Sequence, residues 1–179
     1  MIDYTREELV ELLQRNPDKF NEWKQAQDDE VNLSETDFSG MTLNEIDFSD
    51  VNLNSSSFAD CSLSLVNFTN TDLTSVDFTR SHILECDFSE SLMSGADCSY
   101  SIMSYCNFTD TDLAGCIFSE ADLSNSDFTA AVNIDASRFD EETIWPDPEN
   151  LPDGFDAVCS KDLSALQDEE DDSTVVSDY

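Results

Sequence analysis

A chain of 179 residues with 41 acids against 7 bases carries a formal charge of −34 and fits one domain. That charge excludes direct binding to nucleic acid or anionic membranes, which need Lys and Arg; it suits a protein that offers charge to a basic, DNA-holding surface, and equally one adapted to solubility or high salt. No apolar run approaches the ~20 residues of a membrane span, and Met1-Ile2-Asp3-Tyr4 leads into charged sequence with no signal-peptide pattern, so a cytoplasmic chain with reduced cysteines is expected.

Residues 1–30 read as a short helical cap. Thr5 with Glu8 has the spacing of a capping box, and Leu9, Leu12 and Leu13 follow at helical intervals. Asn16-Pro17 marks a break and a new helix start, carrying Phe20 and Trp23.

Residues 31–130 hold an unbroken repeat of five. Stepping from Leu33 through Phe38, Leu43 and Phe48 to Phe128, all twenty centres are apolar: mostly Leu and Phe in alternation, with Ile83, Met93, Cys98 and Met103 as variants. Two residues before each centre sits a small or slim residue such as Val51, Cys61, Thr71 or Ser81, and the residue between them is usually Asp, Asn, Ser or Thr. In–out–in over three residues is the alternation of a short strand, and the two polar residues that follow must turn a corner. A strict period of five smears apolar residues around an α-helix but suits a solenoid, whose coils must stack to bury their inner faces.

Units such as Thr71-Asp72-Leu73-Thr74-Ser75 and Ala121-Asp122-Leu123-Ser124-Asn125 resemble the pentapeptide-repeat family, and the resemblance covers residues 31–130. It implies an all-β solenoid: a right-handed quadrilateral β-helix with four repeats per coil, hence about five coils. At ~4.8 Å per coil the regular rod is roughly 24 Å long. In that square, one face stacks Phe48, Phe68, Phe88, Phe108 and Phe128. The opposite face stacks Phe38, Phe58, Phe78, Cys98 and Phe118, with Cys98 a gap that Met93 and Met103 would offset.

Residues 131–166 read as an irregular closing segment. The register decays after Phe128, and Phe139, Trp145 and Phe155 are expected to plug the far end. Residues 167–179, opening with Gln167-Asp168-Glu169-Glu170, read as an acidic disordered tail.

No catalytic residue, cofactor or metal is expected. His82 stands at an outward slot with no partner motif, there is no glycine-rich phosphate loop, and no Cys-x-x-Cys pair exists. Cys86 and Cys106 would stack one coil apart, which allows a disulfide or metal site, but cysteine at the small inward slot reads first as a slim apolar residue.

The surface is more telling. Residues 31–130 hold 17 acids and one base, Arg80, a net charge of 1 − 17 = −16. Duplex DNA carries about 14 phosphate charges over the same ~24 Å, at one per ~1.7 Å. Asp47, Asp50, Asp87, Glu90, Asp110 and Asp127 fall on one face, and Asp37, Asp60, Asp77, Asp97 and Glu120 on the opposite one. Leu65, Leu84, Ile102 and Tyr105 occupy outward slots of a single, less acidic face, with Leu92 and Tyr100 expected to flank them on the fourth coil. Such a cluster marks a protein contact, either a homodimer seam or a target site.

The family resemblance implies a DNA mimic. Known members act on DNA gyrase, inhibiting it or protecting it from quinolones, and this chain lacks the projecting loops of the protective members. The expected function is therefore a non-enzymatic inhibitor that occupies the basic cleft of a DNA-acting enzyme or defence complex: a gyrase-like topoisomerase, or a host nuclease countered by a phage. The alternative is a non-mimetic interaction scaffold whose acidity serves solubility or salt adaptation.

Overall fold

A computed structural model describes residues 4–27 and 30–157. The acidic tail at 167–179, the end of the closing segment from 158 onward and the first three residues lie outside the described residues.

The chain enters through two helices. In α1 (Arg6–Arg15) the Thr5 hydroxyl accepts the Glu8 amide while the Glu8 carboxylate accepts the Thr5 amide, so each satisfies the other's open donor. In α2 (Pro17–Gln25) the Asn16 side chain accepts the Lys19 amide and Pro17 opens the first turn. Leu9, Leu13 and Phe20 turn inward into the same core as the repeats.

The repeats wind as a parallel β-helix. Val31 pairs with Val51, and Thr42 with Ser62, His82 and Ile102 in turn, so twenty residues make one coil and five make one face. The faces are numbered by their first centres: Leu33, Phe38, Leu43 and Phe48. Extended backbone is unevenly shared. The third face carries a four-stranded parallel sheet of β2 (Thr42–Asn44), β4 (Ser62–Ser64), β5 (His82–Leu84) and β6 (Ile102–Ser104). The first face holds β1 (Val31–Asn32) with β3 (Val51–Asn52), and the second and fourth are joined by isolated parallel bridges.

The corners depend on a conformation that the repeat hides behind varied polar residues. Every fifth residue from Glu35 to Asn125 has positive φ, from 53° at Glu85 to 72° at Gly115. At most corners the amide of the residue after the left-handed one bonds back, as Val51 N–H does to Phe48 O at 3.2 Å. The outward Asp or Asn then locks each corner. Asp77 Oδ1 accepts the Thr79 amide at 2.8 Å, and Asn67 Oδ1 accepts that of Thr69 at 2.9 Å.

The small inward slot has its own polar logic. Thr71, Thr111 and Ser126 donate hydroxyl hydrogen bonds of 2.7 Å to the carbonyls of Phe48, Phe88 and Met103 on the preceding coil, and Cys116 does the same with its thiol to Met93. A slim side chain fits beside the aromatic centres, and its donor finds an acceptor without leaving the dry interior.

Phenylalanines of the fourth face stack from Phe48 to Phe128 with centroids 4.4–5.5 Å apart. They meet the second-face rings edge-on, as Phe58 meets Phe68 at 5.8 Å. The second-face column stops at Phe78 and resumes at Phe118, with Cys98, Met93 and Met103 all fully buried between them.

Both ends are closed by side chains that continue the pattern. Phe20 packs edge-on against Phe48 at 5.5 Å. Asn21 behaves like a missing strand: its amide donates to Glu45 O, and its carbonyl oxygen accepts the Asp47 amide. At the far end the expected loss of register is only partial. Asp112 bridges Val132 at the regular spacing, Ile117 bridges Arg138 with one extra residue, and Asp122 bridges Ile144 with two. The ladder continues because the exposed amides and carbonyls of the last coil still need partners, whatever the side-chain pattern. Trp145 lies over Phe118 and Phe128, each at 5.8 Å, and Phe155 lies over Trp145 at 5.0 Å.

Candidate partner-binding surface

The acidic faces are built by the turn chemistry itself. Each outward carboxylate on the Asp/Asn slot has one oxygen committed to its own corner, which fixes where the other points. On the fourth face this slot alternates Asp47, Asn67, Asp87, Asn107 and Asp127. Asn107 Nδ2 donates to Asp87 Oδ1 at 3.1 Å, so an amide lies between successive charges and eases their repulsion. On the second face Asp77 and Asp97 are direct neighbours one coil apart. Asp50, Glu90 and Asp110 occupy one left-handed corner column, and Asp60 and Glu120 another.

Two of the eleven acids are neutralised by cations that the sequence left unassigned to them. Lys24 of α2 reaches Asp47 at 3.4 Å and donates to Ser49 Oγ at 2.6 Å. Burial pushes the Asp47 carboxyl up, but the Ser49 hydroxyl and amide and the Lys24 ammonium outweigh it and hold Asp47 below the usual carboxylate range. Arg80 clasps the exposed Asp60 through Nε and Nη2, at 2.8 and 2.9 Å. Among the described residues no ion pair forms at Asp37, Asp50, Asp77, Asp87, Glu90, Asp97, Asp110, Glu120 or Asp127.

Outward apolar residues are exposed where polar ones are the rule: Leu65 47%, Leu92 51%, Tyr100 56%, Ile102 42% and Tyr105 60%. Leu84 is half-buried. Leu65, Leu84, Ile102 and Tyr105 share the third face, and Tyr100 stands at its leading corner. Leu92 does not flank them. It pairs with Asp72 and Asp112 on the first face, two corners away, and lines a hollow of about 540 Å³ beside Lys24 and Val51. Its position in the repeat places it there, since ten residues separate it from Ile102 and each face takes five.

The described cysteines are buried thiols. Burial pushes Cys61 up to about 11 and Cys116 up to about 12, and Cys98 is raised by the same cause. Cys106 is pushed up by its hydrogen bond with Cys86 and by burial. Thiols held protonated in this way are poor nucleophiles. Among the described residues no cluster of three His, Cys, Asp or Glu side chains could hold a metal ion, and no helix is long and apolar enough to cross a membrane.

What sequence reasoning missed was the left-handed column at the corners. The signal was present: Gly40, Gly95 and Gly115 all fall on it, along with Asn70 and Asn125, residues that tolerate positive φ.

Comparison with known proteins agrees with the repeat. A family described as "Pentapeptide repeat region" matches residues 22–98, and "Pentapeptide repeats (8 copies)" matches residues 91–129. No curated protein matches. Among solved structures, a pentapeptide repeat protein of the Arabidopsis thaliana thylakoid lumen is 28% identical with a TM-score of 0.51. That match covers 52% of this chain and 65% of the other, so the chain spans just under two thirds of that relative. A pentapeptide repeat protein from the cyanobacterium Cyanothece 51142 is 15% identical over 65% of this chain and 85% of its own, with a TM-score of 0.40. A plasmid-mediated fluoroquinolone resistance protein is 22% identical over 63% and 59%, with a TM-score of 0.35.

Proposed function

The chain belongs to the pentapeptide-repeat family, and from that premise we propose that it is a non-enzymatic DNA mimic acting in the cytoplasm. It would occupy the basic cleft of a DNA-acting enzyme, such as a gyrase-like topoisomerase or a nuclease. One observation carries this reading. Asp37, Asp77, Asp87, Asp97 and Asp127 stand at fixed heights on two opposite faces of the rod, each held by the amide two residues on, with Asp50, Glu90, Asp110 and Glu120 at the corners beside them. A mimic needs such fixed charge, because a cleft shaped for phosphates gains little from acids on mobile side chains. Asp87, Glu90, Asp110 and Asp127 on the fourth face, with Asp37, Asp77, Asp97 and Glu120 on the second, are the residues assigned to the contact. Asp50 joins them, while Asp47 and Asp60 are discounted because Lys24 and Arg80 already hold them.

A second reading is favoured by the exposed Tyr100, Ile102 and Tyr105: a scaffold that holds a protein through the third face, its acidity serving solubility or salt adaptation. Competition separates the two. The protein should displace duplex DNA from a gyrase-type topoisomerase or a nuclease of basic cleft, and displacement should weaken steeply as salt rises. The D87N/E90Q/D110N/D127N variant keeps every corner, since Asn serves the same turns, and should compete at least about tenfold less well. If that variant competes as strongly as the parent, or no such enzyme loses DNA, the mimic is refuted and the scaffold stands.

A further inference from the structure

We propose that the third face is the seam of a parallel homodimer: two rods side by side, pointing the same way, with the two-fold axis along the rod. Four observations on that face converge on a second copy.

The first is that its corner residues are held at a cost. Leu65, Tyr100 and Tyr105 have φ of 56°, 62° and 57°, a conformation that suits Gly or Asn better than a bulky side chain. The same columns carry Gly40 and Asn125 in other coils, so the fold has an easier choice available. Residues that are both strained and exposed at the corners of one face point to a contact made there.

The second is the pattern of charge. A two-fold axis along the rod sets each coil against the same coil of its mate and exchanges the two edges of the face. The leading edge reads Gly40, Asp60, Arg80, Tyr100, Glu120, and the trailing edge Glu45, Leu65, Glu85, Tyr105, Asn125. Across the seam Gly40 meets Glu45, Asp60 meets Leu65, Arg80 meets Glu85, Tyr100 meets Tyr105 and Glu120 meets Asn125. Along these edges no acid faces an acid; the one like-charge contact falls at the outward slot on the axis, where Asp122 meets its own copy. Arg80, the single base of residues 31–130, falls opposite Glu85 in both halves. Asp60 engages the Nε and Nη2 edge of its guanidinium, which leaves the Nη1 side for Glu85 of the second copy. An antiparallel seam centred on Ile102 would set Arg80 against Glu120 but Asp60 against Asp140.

The third is the backbone. The third face carries the four-stranded sheet from Thr42 to Ser104, the one with most strands among the described residues, and Ile102 at the outward slot of its last strand sits at the middle of the face. The fourth is the low acidity of this face. It has three acids, Glu45, Glu85 and Asp122, against six on the fourth face, as two copies of so acidic a chain require. A strip one face wide falls below the ~1,200 Å² of a standard stable interface, so the dimer is expected to depend on concentration.

The test is sedimentation velocity of the full chain over a concentration series at low and high salt. A monomer–dimer shift should appear and strengthen with salt, because salt screens repulsion between copies and spares the apolar seam. DNA competition should move the opposite way with salt, so failure of the dimer and failure of the mimic are told apart. Y100G/Y105N should dimerise at least about tenfold more weakly while melting at the same or a higher temperature, since it relieves left-handed strain. E85R should weaken the dimer by placing Arg against Arg80, and R80E/E85R should restore it by exchanging the pair. A monomer at every concentration overturns the proposal. So does Y100G/Y105N dimerising as the parent does, and a failure of R80E/E85R to recover association overturns the parallel arrangement.

Discussion

The coil of residues 51–70 and the coil of residues 91–110 have the same backbone and different contents. In the first, Leu53, Phe58, Leu63 and Phe68 fill the interior; in the other, Met93, Cys98, Met103 and Phe108 do. Their rungs are indistinguishable: Phe58 N–H meets Asp77 O, and Cys98 N–H meets Ile117 O, both at 2.7 Å. Outside, the earlier coil has Asn52, Ser57 and Ser62 where the later one has Leu92, Ile117's partner Asp97, and Ile102. The winding is therefore set by spacing, inward apolarity and corner chemistry. Ring identity sets how tightly a layer packs, and the outward slot is left open for recognition.

The widest break between the two coils should come from truncating their centres. Phe68 stacks on Phe48 at 5.5 Å and on Phe88 at 5.0 Å, so Phe68→Ala should cost about 3–5 kcal/mol in urea unfolding. Cys98→Ala removes one sulfur from a site that itself holds no ring, between Phe78 and Phe118, and should cost far less. Equal losses would mean that the aromatic columns do not carry the core.

Making the later coil resemble the earlier one sharpens the contrast. Cys98→Phe should destabilise by about 1–3 kcal/mol, because the buried Met93 and Met103 already occupy the space a ring would need. In a Met93→Leu, Met103→Leu background the same change should recover most of that loss, seen as coupling in a double-mutant cycle.

A smaller effect isolates the corner. Asp97 Oδ1 accepts the Ser99 amide at 3.0 Å and the Ser99 hydroxyl at 2.6 Å. Asn67 supplies the same oxygen in the earlier coil, accepting the Thr69 amide at 2.9 Å. Asp97→Asn should leave the melting temperature nearly unchanged, while Asp97→Ala should lose about 1 kcal/mol. If Asn proved as costly as Ala, the carboxylate would matter for its charge and not for the turn.

Acid should spare both coils and loosen the ends. The exposed Asp37, held down by the Ser39 hydroxyl and amide, and Asp60, held down by Arg80, aside, the lowered carboxylates near these layers belong to the junctions with the end segments. Asp47 is held down by Ser49 and Lys24 against the burial that raises it. Asp112 is held down first by the Asn133 amide, and Asp140 by the Glu120 amide and the Thr143 hydroxyl against burial. A carboxyl whose folded pKa lies below its ordinary 3.8 stabilises the fold above that value and loses the contribution as pH falls through the folded pKa. Stability should therefore hold or rise as acidification first relieves self-repulsion, then fall below about pH 4. Hydrogen exchange should show α2 and residues 131–157 opening before Leu53 or Met103.

Much of this molecule was legible in its residues. The twenty apolar centres fixed the inward column, Thr5 with Glu8 marked the first helix, and the five-residue step assigned each acid to a face, because a period without insertions leaves one register open. Other features needed the coils to be stacked. Lys24 reaches Asp47 and Arg80 reaches Asp60 only once α2 and neighbouring coils lie side by side, which removes two acids from the charge a partner would meet. Leu92 parted from Ile102 for a related reason: neighbours on a rod are set by the corners between them, not by closeness in the chain. The continued ladder beyond Phe128 likewise followed from unpaired amides of the last coil, a demand that a list of side chains does not display. Local pattern is written residue by residue, whereas pairing across coils depends on which groups the winding brings within reach.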